Sequence, residues 1–240
     1  MTLYFERDDI LIYHADCRDV DIPAVDVVVI SDPPYGIGFV KGASGGRGNW
    51  RAGHDHKASR HAEMILADDE PFDPSPWLKY GNVLLWGANH FCRRLPDGGR
   101  WLAWNKLEHV ESFDSFSDVE FAWHSMGKAC RIFNYLWKGG VATRKGPSDN
   151  NGRRDHQNQK PVPLMAWCIQ QANVLPSQTI LDPYMGVGTT LVAAQLGNFK
   201  AIGIEIEERY CEIAARRLEQ PMFKFSEQVD GGLGQPETPP

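Results

Sequence analysis

No hydrophobic run in this 240-residue chain approaches the ~18 consecutive apolar residues of a membrane-spanning helix; purely apolar stretches such as Val27-Val28-Val29-Ile30 stop far short. No membrane association is therefore expected. None of the five cysteines (Cys17, Cys92, Cys130, Cys168, Cys211) forms a C-x-x-C pair, and their number is odd and their spacing wide. A disulfide framework and a zinc finger are both disfavoured, and a reducing, cytoplasmic location is expected. A secretory leader is not expected either, because charge enters at once at Glu6-Arg7-Asp8-Asp9. The chain lacks internal repeats. Biased composition is confined to 226–240, SEQVDGGLGQPETPP, which has too few hydrophobes to pack and reads as a disordered tail.

What is present fits an ordinary globular protein: 42% apolar and 23% charged residues. A chain of this length buries roughly 70–75% of its unfolded surface without staples. The formal charge of −6 would disfavour a nucleic-acid partner, but it conceals a partition. Residues 1–35 carry eight acids against two bases. Residues 36–61 carry Lys41, Arg47, Arg51, Lys57 and Arg60 against Asp55 alone, and residues 131–160 carry seven bases against Asp149 and Asp155. Both basic stretches are rich in Gly, Asn and Ser and read as mobile loops. His54, His56 and His61 stand in the first without a supporting Cys or carboxylate cluster, so they read as solvated and no metal is expected.

The first hundred residues alternate β-rich runs with polar breaks. Strands are expected at 10–14, 25–30, 82–86 and 100–104, with further strands in 105–135 including 119–123. The near-continuous β-branched run at 25–30 predicts a strand covered on both faces. Helices are expected over 163–172, 191–196 (closed by Gly197-Asn198) and 208–218, alternating with strands at 179–181 and 201–205. That strand–Gly turn–helix–strand unit reads as βαβ with parallel strands. Trp86, Trp101, Trp104, Trp123, Trp137 and Trp167 are expected in the core.

Two loops carry chemistry. The Gly186-Val187-Gly188 turn follows a strand and opens a helix, letting a ligand approach the backbone closely. Glu205 lies nineteen positions past Gly186, where an acid reaches ribose hydroxyls in nucleotide-type folds. Leu191 stands where a dinucleotide fingerprint wants its third glycine, so adenosine without phosphates fits better than a pyrophosphate. A structural β-turn is the alternative. The second loop, Asp32-Pro33-Pro34-Tyr35, ends a strand at its carboxyl end. Its prolines fix φ twice and make a rigid shelf. A carboxylate beside a backbone carbonyl is an acceptor pair matched to an NH₂ group, and Tyr35 offers an aromatic face. Taken alone, the tetrapeptide has a second, less favoured reading as a Pro-Pro turn with Tyr35 in the core.

Asp32-Pro33-Pro34-Tyr35 together with Asp182-Pro183-Tyr184-Met185-Gly186-Val187-Gly188-Thr189-Thr190 resembles the DNA amino-methyltransferases. With the D-P-P-Y loop first, the order resembles the permuted β group of that family, common in phages and restriction–modification systems. Ala15-Asp16-Cys17 and the 156–164 stretch, HQNQKPVPL, are similar to two further family motifs. Tyr184 and Met185 depart from the commoner Phe and Ala. The resemblance covers about residues 10–220. It implies an α/β, Rossmann-like S-adenosylmethionine-dependent fold with a mostly parallel sheet and a small target-recognition insertion. One domain over 1–225 is expected, with 36–61 as a base- and DNA-facing loop and about 125–158 as the recognition segment.

The resemblance implies catalysis by Asp32, Pro33, Pro34 and Tyr35. It implies cofactor contacts from Asp16, Cys17, Lys160, Pro161, Asp182, Tyr184, Gly186, Gly188, Thr189, Thr190 and Glu205. Arg47, Arg51, Arg144, Lys145, Arg153 and Arg154 are the candidates for contact with double-stranded DNA. The implied reaction moves a methyl from S-adenosylmethionine to adenine N6, leaving S-adenosylhomocysteine. Cytosine N4, an RNA acceptor, or a non-catalytic nucleotide-binding module stand as alternatives. Asp at the first motif position resembles adenine-N6 enzymes more than cytosine-N4 ones. A cognate restriction endonuclease is a further expected partner, and the chain is expected to act as a monomer or homodimer.

Overall fold

The computed structural model describes residues 2–36, 70–107, 117–137 and 159–220. In chain order these form β1 (Thr2–Arg7), β2 (Ile10–His14), β3 (Val27–Ser31), α1 (Ser75–Leu78), β4 (Val83–Trp86), β5 (Arg100–Asn105), β6 (Val119–His124) and β7 (Arg131–Asn134), then α2 (Val162–Gln171), β8 (Thr179–Asp182), α3 (Thr189–Leu196), β9 (Lys200–Glu205) and α4 (Glu208–Glu219). The strands make a nine-stranded sheet in the order β1-β2-β9-β8-β3-β4-β6-β5-β7. Only β1 and β6 run against the others.

The β-branched run of β3 is wholly buried, as a strand covered on both faces requires. Its alternate side chains serve two clusters. Val28 and Ile30 pack with Leu84, Trp86, Leu164, Met165 and Leu191 beneath α2, α3 and α4. Val27 and Val29 pack on the other face with Val83, Leu85, Phe72, Trp77 and Phe91. Each large aliphatic side chain buried in this way contributes ~1.5–3 kcal/mol. α2 begins at prolines, which tolerate the first helical turn because its N–H groups have no intrahelical partner. α4 turns Cys211, Ala214 and Leu218 to the core at helical spacing.

Consecutive prolines end β3, since neither can donate to a ladder. The β8 chain then leaves towards β9 on one side and the β3 chain towards β4 on the other. The boundary between β3 and β8 is therefore the topological switch point, where open α/β sheets place ligands at the carboxyl ends of the strands. Register pairs Val27 with Thr179 and Val29 with Leu181, so both loops leave the sheet at one level.

Several expectations need correction. β1 adds an edge strand in a segment for which no element is expected from its pattern; Glu6 and Arg7 at its end are both exposed. Arg131–Asn134 is a strand paired to β5, inside the 105–135 region where strands are expected, so the basic stretch does not read as a loop from 131; edge position tolerates its charged and polar ends. Trp101 is 36% exposed and meets Phe121 edge to face on an outer surface of the sheet, unlike the buried Trp86, Trp104 and Trp123. α3 closes at Gly197-Asn198 as expected, with Gly197 at the cap and Asn198, at φ 55°, in the left-handed conformation. The 226–240 tail lies outside the described residues, as does most of the 36–61 loop and all of 138–158.

Candidate active site

The two loops are joined by a hydrogen bond. Ser31, the last residue of β3, donates its hydroxyl to Asp182 Oδ1 at the end of β8, at 2.6 Å. Thr190 Oγ1 donates to Asp182 Oδ2 at 2.5 Å, and the Tyr184 N–H reaches Oδ1 at 3.2 Å. Burial pushes the Asp182 carboxyl up to about 6, restrained by the two hydroxyls and the backbone N–H. Asp182 thus ties the end of β3 to the start of α3.

The glycine turn between them has the conformation a close approach needs. Gly186 (φ 51°) would carry a Cβ into open space, while one at Gly188 (φ 75°) would fall 2.7 Å from Ala214 Cβ. Glu205 spans the turn, accepting the Gly186 N–H at 3.0 Å through Oε2 and the Glu207 N–H at 2.8 Å through Oε1. Its carboxyl is raised, chiefly by burial. Beside it, at the end of β2, Asp16 accepts the Arg18 N–H at 2.9 Å and binds the Arg18 guanidinium through both oxygens. The side-chain bond to Arg18 holds Asp16 below the usual carboxylate range. Tyr184 lies edge-on to Phe72 and Trp77, at ring separations of 5.7 and 5.8 Å, with the buried Cys17 in the same cluster. Thr189 accepts from the Arg217 guanidinium at 3.2 Å.

At the end of β3, Asp32 has two partners. Tyr35 Oη donates to Asp32 Oδ1, and Lys160 Nζ donates to Oδ2 at 2.7 Å. Burial raises the Tyr35 phenol well above its ordinary value, and the Asp32 charge adds to that. Burial alone would lower the Lys160 ammonium, but Asp32 and Glu120 overcome it and hold it well above the lysine range. The Tyr35 ring stacks on the His90 imidazole at 5.0 Å. Gly87 (φ 67°) passes so close that a Cβ there would collide with the Tyr35 ring.

The structure therefore brings Asp32–Tyr35, Lys160–Pro161, the Asp182–Thr190 turn, Glu205 and Asp16–Cys17 to the carboxyl ends of four neighbouring strands, β2, β9, β8 and β3. Lys160, expected on the cofactor side, has its ammonium against Asp32. Arg47, Arg51, Arg144, Lys145, Arg153 and Arg154 lie outside the described residues, with His54, His56 and His61. Sequence reasoning missed Ser31, Gly87, His90 and Glu120. Gly87, directly after a buried strand, carried a usable signal; the others carried none. Among the described residues no group of three or more His, Cys, Asp or Glu is placed to hold a metal.

A family model described as DNA methylase, of the N6/N4 type, matches residues 101–216. The Type II methyltransferase M.HinfI of Haemophilus influenzae is 34% identical over an alignment of 137 residues, covering 49% of this chain and 38% of that protein. The chain thus matches little more than a third of that relative's length. M.ScaI of Streptomyces caespitosus, also a Type II methyltransferase, is 24% identical over an alignment of 255 positions, covering 90% and 83%. Two solved structures share the fold: the PvuII DNA methyltransferase (cytosine-N4-specific), with TM-score 0.53, 12% identity and 88% and 86% coverage, and the M1.HpyAVI-SAM complex, with TM-score 0.50, 19% identity and 87% and 99% coverage. A mostly parallel sheet whose switch point unites an Asp-Pro-Pro-Tyr shelf and a glycine turn accompanies this similarity to the DNA amino-methyltransferases, the adenine-N6 and cytosine-N4 proteins taken together.

Proposed function

We propose that this chain methylates the exocyclic N6 amine of adenine in a short sequence of double-stranded DNA, with S-adenosylmethionine as donor. The observation that carries the reading is the Ser31–Asp182 bond, which holds the amine-binding shelf and the glycine turn side by side. The donor set fits an adenosine-containing cofactor. Gly186 leaves open space where a side chain would stand, Glu205 lies at the end of the next strand beside that turn, and Tyr184 contributes an aromatic wall. Bound there, S-adenosylmethionine would supply an electrophilic methyl on a sulfonium.

The chain's own residues would do the rest. The Asp32 carboxylate and the Pro33 carbonyl accept the two amine hydrogens, which favours a pyramidal nitrogen and aims its lone pair. Pro34 stiffens the shelf, and Tyr35 offers its ring to the extruded base. Extrusion costs a few kcal/mol, which stacking and phosphate contacts must offset. The methylated amine is cationic and loses its proton to water or to Asp32. No strong base is required.

Adenine rather than cytosine rests on the Asp at the first motif position. The cytosine-N4-specific neighbour shares only the fold at 12% identity. Both curated relatives bear Type II names, so a cognate restriction endonuclease is part of the proposal. The basic segments 36–61 and 131–158 are assigned to DNA contact on charge. The test is transfer of tritiated methyl to plasmid DNA, followed by digestion and mass analysis of the nucleosides. N6-methyldeoxyadenosine is the expected product. N4-methyldeoxycytidine would move the acceptor, and no transfer to DNA would overturn the reading.

A further inference from the structure

Asp32 is already engaged in this structure, and the reading above requires it to accept hydrogens from an incoming amine. The group that must yield is Lys160, whose side chain is 9% exposed. Its ammonium has three N–H donors and three oxygens within reach: Asp32 Oδ2 at 2.7 Å, Glu120 Oε2 at 3.0 Å and Tyr35 Oη at 3.3 Å. Glu120 lies near the start of β6, and its other oxygen takes the Lys106 ammonium at 3.1 Å. The four side chains form an alternating row: Asp32, Lys160, Glu120, Lys106. The rings of Trp86 and Tyr35, each 6.0 Å from Lys160 Nζ, wall the cation in.

A buried ammonium cannot leave one carboxylate unless another keeps it compensated, because an unpaired buried charge is strongly unfavourable. We propose that Glu120 is a positioning residue for methyl transfer. It retains the Lys160 ammonium while Asp32 exchanges its lysine and tyrosine partners for the hydrogens of the acceptor amine. Lys106 in turn keeps Glu120 ionised and in place. Without Glu120 the Lys160 charge falls on Asp32 alone, and the shelf competes poorly for the amine. The inference rests on the methyltransferase reading, but Glu120 and Lys106 lie outside the sequence motifs.

The test is steady-state methyl transfer to DNA by the full chain, with kcat and both KM values measured for Glu120→Gln, Glu120→Asp, Lys160→Met and the double variant Glu120→Gln/Lys160→Met. Glu120→Gln is expected to lower kcat about tenfold, with the cofactor KM within about twofold of the parent. Glu120→Asp should restore part of the loss. If Glu120 acts through Lys160, the double variant matches Lys160→Met alone rather than showing the product of the two losses. Should Glu120→Gln fail to fold, Glu120→Asp keeps the charge and reads the same kcat loss on a smaller scale. Unchanged kcat in a folded variant, or losses that multiply, would overturn the inference while leaving the parent activity intact. A parent chain that methylates no DNA would instead sink the functional reading itself.

Discussion

Strand β6 carries one member of each of two polar clusters, and they are built differently. Glu120, near its start, belongs to the row of charged side chains at the carboxyl ends of the parallel strands. His124, at its finish, sits at the opposite edge of the sheet and is fully buried. Arg100 Nε donates to its Nδ1 at 3.2 Å, so Nε2 carries the proton and faces Asn82 Oδ1 at 2.9 Å. Asn82 and Arg100 are anchored on the Ala172 and Gln171 carbonyls at the end of α2, and Ser125 bonds the Gly81 carbonyl and the Val83 N–H. One cluster is neutral at the imidazole and fastened to the backbone at the end of α2. The other consists of charges held by other side chains, which can change partners. On β6, the end tied to backbone serves the fold, and the end held by other side chains is the one proposed to act at the amine site.

The largest expected contrast comes from Asp32→Ala. Methyl transfer should fall at least ~10²–10³-fold, while cofactor affinity stays within about threefold; assay of transfer beside calorimetric titration checks both. Retained transfer would show that Asp32 is no more functional than His124. Next is Ser31→Ala, which leaves the buried Asp182 short of a donor. It should cost about 1–3 kcal/mol of stability and weaken activity together, measured by denaturant unfolding and by kcat/KM. Activity intact at lowered stability would place Ser31 with the structural cluster.

The two ends should also fail in different pH windows. Burial, helped by the facing Arg100, lowers His124 to about 4. A depressed value means that its contribution is whole above pH 6.5 and lost as pH falls towards 4, up to about 3 kcal/mol. For Glu120, burial works upward, but Lys160 and Lys106 prevail and bring it to about 2. Its contribution is whole above ~4.5 and lost towards pH 2, on the order of 1–2 kcal/mol after allowing for the 30% exposure of its side chain. Thermal unfolding against pH should therefore decline in two stages. His124→Gln should remove the upper stage only, and Glu120→Gln the lower only; a single stage in both variants would contradict the assignment. The smallest effect is for Glu205→Ala, which should weaken cofactor binding about tenfold by releasing the glycine turn. Unchanged affinity would move the ribose contact elsewhere.

Much of the first cluster was legible in the sequence because its frame is written locally. A β-branched run broken by Pro33-Pro34 marks the end of β3, and a strand followed by Gly186-x-Gly188 marks the end of β8. What was not legible depends on pairings remote in sequence. Ser31 and Asp182 are 151 residues apart, and Asp32 and Lys160 128. No local pattern distinguishes Glu120 from a solvated acid on an antiparallel strand, or tells that Lys160 turns towards Asp32. β7 falls within the 105–135 region where further strands are expected, and its pairing to β5 outweighs a basic composition that suggests a loop from 131 onward.

The central claim is that the ends of β3 and β8 form one reaction crevice. A bisubstrate ligand joining the N6 of adenosine, by a short linker, to the sulfur position of an S-adenosylmethionine skeleton measures it directly by calorimetric titration. One crevice predicts binding at least ~100-fold tighter than either half alone, with most of that gain lost in Asp32→Ala. Affinity no better than that of the cofactor half would mean that the two loops open into separate sites.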